Sequence, residues 1–260
     1  MTAEVRVGTS GYSFADWIGP FYPAGIEKGK MLDFYVKHFD TVEVNSTYYR
    51  IPHFRVMANL EKKTPPEFRF MVKAHSSATH ERDKLAESAP AYFEALQPLA
   101  ESGKLRGILA QFPWSFKRTR ENAEHLRRCR DVFADYPLFM EFRHNSWLTP
   151  KLFEWLSKNE IGYVSVDEPQ LEGMLDSRAQ ATTGIGYIRL HGRNAEQWWN
   201  GGPLRYDYLY SDQELAEWVG KIEQMREQTE TIYVFFNNCH EGQAVTNARR
   251  ILEMLDVATN

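Results

Sequence analysis

Cysteine is nearly missing from this 260-residue chain: only Cys129 and Cys239 occur. They lie far apart and outside any metal-type spacing, which argues against a disulfide scaffold and points to a reducing compartment. No Gly-x-Gly-x-x-Gly turn follows a strand pattern, so a dinucleotide half is not signalled and no cofactor is assigned. Apolar runs of membrane-span length are absent, and no membrane partner is expected. The first residues, MTAEVRVGTSGY, enter a strand pattern without the basic region, apolar run and cleavage site of a secretory leader, which makes a cytoplasmic protein the expectation. Charge of one sign is scarce as well. The 31 Lys and Arg against 35 Asp and Glu leave a net charge of −4, too mild for general attraction to nucleic acid, so any anion site must be local. No linker or low-complexity stretch breaks the chain, and residues 1–260 read as one domain.

What is abundant is material for a core: 43% apolar and 14% aromatic residues. Strand patterns fall at Glu4–Thr9, Thr41–Asn45, Phe68–His75, Gly107–Phe112, Leu138–Phe142, Gly162–Asp167, Gly186–Arg193 and Thr231–Phe236. Helical patterns follow at Met31–Phe39, Arg55–Lys63, Ala89–Glu101 and Glu121–Phe133. Thr149-Pro150 caps the next, through Lys158, and the box Ser211-Asp-Gln-Glu214 starts another, through Glu227. Ala244–Leu255 is the last. Between the sixth and seventh strands, Glu168–Gly184 lacks an amphipathic run and contains Pro169 and Gly173, so a short or irregular helix is expected there. Eight strand–helix repeats are the count of a (β/α)8 TIM barrel, with a doubly wound open sheet as the alternative.

Successive strand residues point to opposite faces. One parity is apolar throughout: Val5 and Val7; Val42 and Val44; Phe70 and Val72; Ile108 and Ala110; Met140; Val164 and Val166; Ile188 and Leu190; Ile232 and Val234. The other carries Ser10, Glu43, Asn45, Lys73, His75, Gln111, Glu141, Arg143, Ser165, Asp167, Tyr187, Arg189, His191 and Asn237, its polar groups gathered at the strand ends. In a barrel the apolar parity faces the helices, so the polar parity is expected to face inward and meet at the C-terminal mouth, where barrel active sites lie. Such charges must pair with one another, hold water or await a ligand. Tyr12, Tyr48 and Trp147, in loops after strands, are candidates to stack on a ligand.

The motifs GTSGY with WIGPFYP, EVNSTYYRIP, FMVKA with Thr79-His80, QFPWSF, EFRHNSW, YIRLHGR and VFFNNCHEG together resemble the uncharacterised family called domain of unknown function 72, the YecE-like proteins. The resemblance spans nearly the whole chain. It departs at Tyr12, where the family often has Trp, and at Tyr48, where it often has Phe. It implies a TIM barrel and no established activity.

The residues themselves favour an enzyme acting on a small anionic substrate, phosphorylated ones included. Lys73, Arg143, Arg189 and Arg193 would hold the anion, with Tyr12, Asn45, Tyr48, His75, Gln111, Trp147 and Asn237 completing the site. Glu43, Glu141 or Asp167 would exchange protons, and His191 would change charge near neutral pH. A glycosidase using two carboxylates is disfavoured by the cations beside them, and metal ligation by Glu141, Asp167 and His191 by the same competition; no metal is assigned. A noncatalytic anion binder is the second class of function. Nucleic-acid binding through the mouth and the basic run Thr119–Arg130 is a third, less favoured than a solvated helix face.

Overall fold

The structure, a computed structural model, describes residues 3–258. Eight parallel strands, β1 (Glu4–Thr9), β2 (Thr41–Val44), β3 (Arg69–Lys73), β4 (Leu105–Gln111), β5 (Leu138–Glu141), β6 (Gly162–Asp167), β7 (Ile185–Leu190) and β8 (Thr231–Phe236), pair in the order β1-β8-β7-β6-β5-β4-β3-β2. A single parallel bridge, Ser10 with Glu43, closes the ring between β1 and β2. This is the (β/α)8 barrel. Around it run α1 (Met31–Tyr35), α2 (Phe54–Lys62), α3 (Ser76–Thr79), α4 (Leu85–Glu101), α5 (Arg120–Val132), α6 (Pro150–Lys158), α7 (Asp212–Arg226) and α8 (Gln243–Ala258). None of the described helices is long and apolar enough to cross a membrane.

The start signals act as read. Thr149 Oγ1 accepts from the Leu152 amide at 3.3 Å above Pro150, and Ser211 and Glu214 form a reciprocal capping box, so both helices begin where orphan amides are satisfied. The α1 helix stops short of the expected Phe39 because its last turn tightens to i→i+3 bonds, Lys37 to Phe34 and His38 to Tyr35. The apolar strand faces lie fully buried under the helices, with Val42, Phe70, Val72, Ile108, Met140, Ile188 and Val234 against Leu60, Leu96, Leu126, Leu156, Trp218 and Ile251 in one continuous core.

Two expectations fail at the same place. Glu168–Gly184 forms no helix. Gly173 takes a left-handed φ of 78°, and the segment spends its polar groups on β6 instead: the Gln180 amide donates to Ser165 Oγ at 3.0 Å, and Thr182 Oγ1 accepts from the Tyr163 amide at 2.8 Å. The outer face of β6 is therefore met by this polar segment as well as by α6. The strand turns accordingly. Val164 pairs in register with Tyr187, Val166 with Arg189 and Asp167 with Leu190, so the valines point into the barrel and Tyr163, Ser165 and Asp167 point out. Tyr163 packs edge-on against Phe153 of α6, their centroids 5.1 Å apart. Gly162 makes the inward placement fit, since a Cβ there would lie 2.1 Å from the Phe139 ring that fills the barrel interior; one on Gly107, across the same ring, would lie 2.4 Å away.

Candidate active site at the barrel mouth

The C-terminal ends of the strands carry an alternating chain of charge. Glu43, at the end of β2, accepts from Arg189 Nε at 2.8 Å and Nη2 at 2.7 Å, from Asn45 Nδ2 at 2.9 Å and from the Tyr187 hydroxyl. Arg189 Nη1 then reaches Glu141 Oε2 of β5 at 2.6 Å, and Glu141 Oε1 accepts from Arg143 Nε at 2.6 Å. Arg143 Nη1 continues to Glu168 Oε2 at 2.8 Å. Burial by itself would raise the carboxyls of Glu43 and Glu141. The adjoining guanidiniums, Arg189 at Glu43 and both Arg143 and Arg189 at Glu141, outweigh burial and hold the two below the ordinary carboxylate range, Glu141 well below. The two are thus fixed as anions by their partners.

His191 lies within this network with no exposed surface, accepting from Asn237 Nδ2 on Nδ1 at 2.9 Å, its Nε2 3.0 Å from Arg143 Nη2 and 3.4 Å from Glu141. Burial, reinforced by the Arg143 guanidinium, lowers its pKa to about 3. It stays neutral at physiological pH, contrary to the expectation of a group that changes charge there. The groups that do titrate near neutrality are others. Burial, with Arg189 nearby, brings the Lys73 ammonium down to about 7, and burial raises Glu168 to about 7 against the opposing pull of Arg143.

A cleft of about 570 Å³ opens above this network, lined among others by Ser10, Tyr12, Asn45, Lys73, Gln111, Arg143, Arg189 and Asn237. Lys73 Nζ donates to Gln111 Oε1 at 2.7 Å and lies 4.5 Å from the centre of the Tyr48 ring, with no carboxylate oxygen within 4.0 Å among the described residues. Asn45 Oδ1 and Ser10 Oγ, the latter beside Glu43, are buried without a hydrogen bond of normal geometry. A larger hollow of about 700 Å³ lies at the opposite end of the barrel, between Tyr136, Asn159, Thr183 and Glu230, and holds none of the unpartnered buried polar atoms found among the described residues.

The structure brings together Glu43, Asn45, Lys73, Gln111, Glu141, Arg143, Arg189, His191 and Asn237, with Tyr12 on the wall and Tyr48 beneath Lys73. Four expected members stand elsewhere. Asp167 points outward with the polar face of β6, and Arg193 follows it, bonding Asp167 at 2.9 Å, Glu214 at 3.2 Å and Glu217 at 3.2 Å, so this cation is already occupied by carboxylates outside the mouth. Trp147 is core, its indole N–H bonded to the Phe116 carbonyl at 2.6 Å and its ring stacked on Phe116 at 5.4 Å. His75 caps α3, Nδ1 accepting from the Ser77 amide at 3.3 Å, and does not line the cleft. Glu168 takes the place foreseen for Asp167. The signal for it was its own parity, one residue beyond the strand. Ser10 and Tyr187 stood on the polar parity without a role. No group of three His, Cys, Asp or Glu side chains among the described residues is arranged to hold a metal ion.

A family model described as "Protein of unknown function DUF72" matches residues 6–260. The chain belongs to this family. Among DUF72 relatives, the UPF0759 protein YunF of Bacillus subtilis (strain 168) is 35% identical over 271 residues, covering 97% of this chain and 95% of that protein. The DUF72 protein TM1631 of Thermotoga maritima MSB8 has a crystal structure with a TM-score of 0.91 at 40% identity, covering 97% of this chain and 99% of that one. A DUF72 protein of Enterococcus faecalis V583, EF0366, gives 0.87 at 29% identity over 97% and 95% of the two chains. These DUF72 structures share the barrel, and their names carry no reaction.

Proposed function

We infer that the protein is an enzyme that binds a small anionic substrate in the mouth cleft and moves protons there. The observation that carries this reading is the state of Lys73: a cation at the end of a barrel strand, lining an open cleft, with no carboxylate partner, while every neighbouring guanidinium has one. An anion supplies the missing partner. Arg143 faces the same space with three of its five N–H donors engaged, which leaves two for a carboxylate or phosphate oxygen. Asn45 Oδ1, buried without a hydrogen-bond partner, offers an acceptor for the rest of the ligand. With a pKa near 7, Lys73 exchanges its proton at working pH, as general acid–base catalysis requires.

A noncatalytic anion binder draws support from a different observation, that Glu43 and Glu141 are fully engaged by arginine and stay ionised. Both readings share the cleft and part on turnover. The test is a thermal-shift screen of phosphorylated metabolites and carboxylates against wild type and Lys73→Met. A ligand at 100 times its dissociation constant should stabilise wild type by about 2.7 kcal/mol and leave the variant unmoved. An equal response in both proteins removes the cleft from consideration, and conversion of the bound compound, followed by NMR, separates enzyme from binder.

A further inference from the structure

Among the described residues, Lys104, Lys221 and Lys73 turn their ammonium groups into the protein, and they differ in what they meet. Lys104 is saturated: Nζ donates to the Glu61 carbonyl at 2.6 Å and the Thr64 carbonyl at 2.8 Å and pairs with Glu61 Oε1 at 3.2 Å. Lys221 is tied to the Ser177 carbonyl and to Ser177 Oγ at 3.1 Å, over the Trp218 ring. Lys73 has one hydrogen bond, to a neutral amide oxygen, an aromatic ring beneath it, and the open cleft in front. The first two have their N–H donors tied to protein oxygens. The third is held at a fixed place with its remaining N–H donors toward the cleft.

We propose that Lys73 is a nucleophile that forms a transient imine with a small aldehyde or ketone carrying a carboxylate or phosphate group. The proposal rests on the cleft reading above and names its substrate class. A lysine becomes a useful nucleophile when it is desolvated or placed near other cations, because its neutral form is then populated at working pH. Lys73 meets both conditions: burial in the barrel mouth disfavours the ammonium most, and Arg189 and then Arg143 add to it, against the opposing pull of Glu141 and Glu43. Arg143 also serves the substrate, since it lines the same cleft with two N–H donors left for an anionic tail, whose carbonyl carbon would then lie toward Nζ. In the step itself the Nζ lone pair forms a C–N bond while the carbonyl π pair moves to oxygen, which takes a proton. The nitrogen loses one proton to water, which gives the neutral carbinolamine. Its hydroxyl takes a second proton from water as the C–O bond breaks and a water molecule departs, the nitrogen lone pair closes the C=N bond, and the resulting iminium gives up its remaining N–H proton to water. Amine and carbonyl become imine and water, with no change in oxidation state, and hydrolysis reverses the sequence.

The full chain would be incubated separately with dihydroxyacetone phosphate, glyceraldehyde 3-phosphate and pyruvate in the presence of sodium cyanoborohydride, digested, and mapped by mass spectrometry. The expected result is a reduced adduct on Lys73 that forms at least about tenfold faster than on the exposed Lys37 and Lys158, which lie outside the cleft, because the lowered pKa of Lys73 frees its amine at neutral pH. Glycerol 3-phosphate or lactate, which have the anion but no aldehyde or ketone, should slow it. Labelling of Lys73 no faster than of Lys37 and Lys158, with all three carbonyl compounds, overturns the proposal in the wild-type protein, whatever the variants do. Lys73→Arg should lose the adduct and keep its thermal response to glycerol 3-phosphate. Thermal stabilisation of wild type by these anions without an adduct would sink the imine and leave the anion cleft standing; loss of both would sink the two together.

Discussion

Arg189 and Glu43 form a two-pronged pair inside the barrel, Nε and Nη2 on the two carboxylate oxygens at 2.8 and 2.7 Å, with both side chains out of contact with solvent. A buried pair of this kind contributes less through its own attraction than through the cost of breaking it. Arg189→Met strands Glu43 and takes one guanidinium from Glu141, so the expected loss is about 3–5 kcal/mol, read from the urea midpoint. Adding Glu43→Leu should restore a substantial part, because Glu141 still has Arg143. A loss below about 1 kcal/mol for the single variant would show that the pair is not closed to water.

Arg193 offers a contrast. Its side chain is 23% exposed and bonds Asp167 on the outer side of β6. Arg193→Leu should destabilise by about 3 kcal/mol through a buried carboxylate that loses its cation and keeps the Tyr210 hydroxyl, with the thermal response of the cleft to anions unchanged. Loss of that response at unchanged stability would return Arg193 to the mouth.

The fate of these two arginines marks what could be read from sequence. Eight strands and the mouth were legible because alternation along β2, β5, β7 and β8 is strong and because caps such as Thr149 and Ser211 act locally. Glu43, Glu141, Arg143 and Arg189 met for the same reason. In β6 the rule that polar residues face inward failed, since Val-Ser-Val-Asp is buried on both sides and its neighbour on the outside is a polar segment, a tertiary fact that local pattern does not carry. Asp167 and Arg193 were displaced with it, and Glu168 was overlooked. Trp147 and His75 were misplaced because an aromatic ring or an imidazole after a strand serves a core or a cap as readily as a ligand. The pairing that keeps His191 neutral and leaves Lys73 titratable depends on distances no spacing encodes.

Gly162 tests the orientation of β6 directly. A Cβ there would lie 2.1 Å from Phe139, so Gly162→Ala must push that ring out of its place in the barrel interior, at an expected cost of about 1–3 kcal/mol. Phe139→Leu costs stability alone by removing ring volume, yet combined with Gly162→Ala it should cost less than the sum of the two. Additive losses in a double-mutant cycle would mean that Gly162 and Phe139 do not meet, and that the valines of β6 face the helices after all.

Lys73 and Glu168 make opposite demands on pH. Lys73 has an ordinary pKa of 10.5 and a folded value of about 7, so between these values the unfolded chain binds the extra proton, and stability rises with pH. Lys73→Met should therefore gain on wild type as pH falls from 10.5 to about 7, and the difference should level off below that. Glu168 moves from 4.5 to about 7 on folding, so the folded protein binds the extra proton between them and stability falls as pH rises. Glu168→Gln should gain on wild type across that lower window and level off above it. Neither slope should exceed about 1.4 kcal/mol per pH unit, the limit for one proton. Urea unfolding of the three proteins across both windows gives the curves. Flat differences would show that neither group is held away from its ordinary pKa, and with a fully charged lysine the cleft would lose its nucleophile while keeping its anion site.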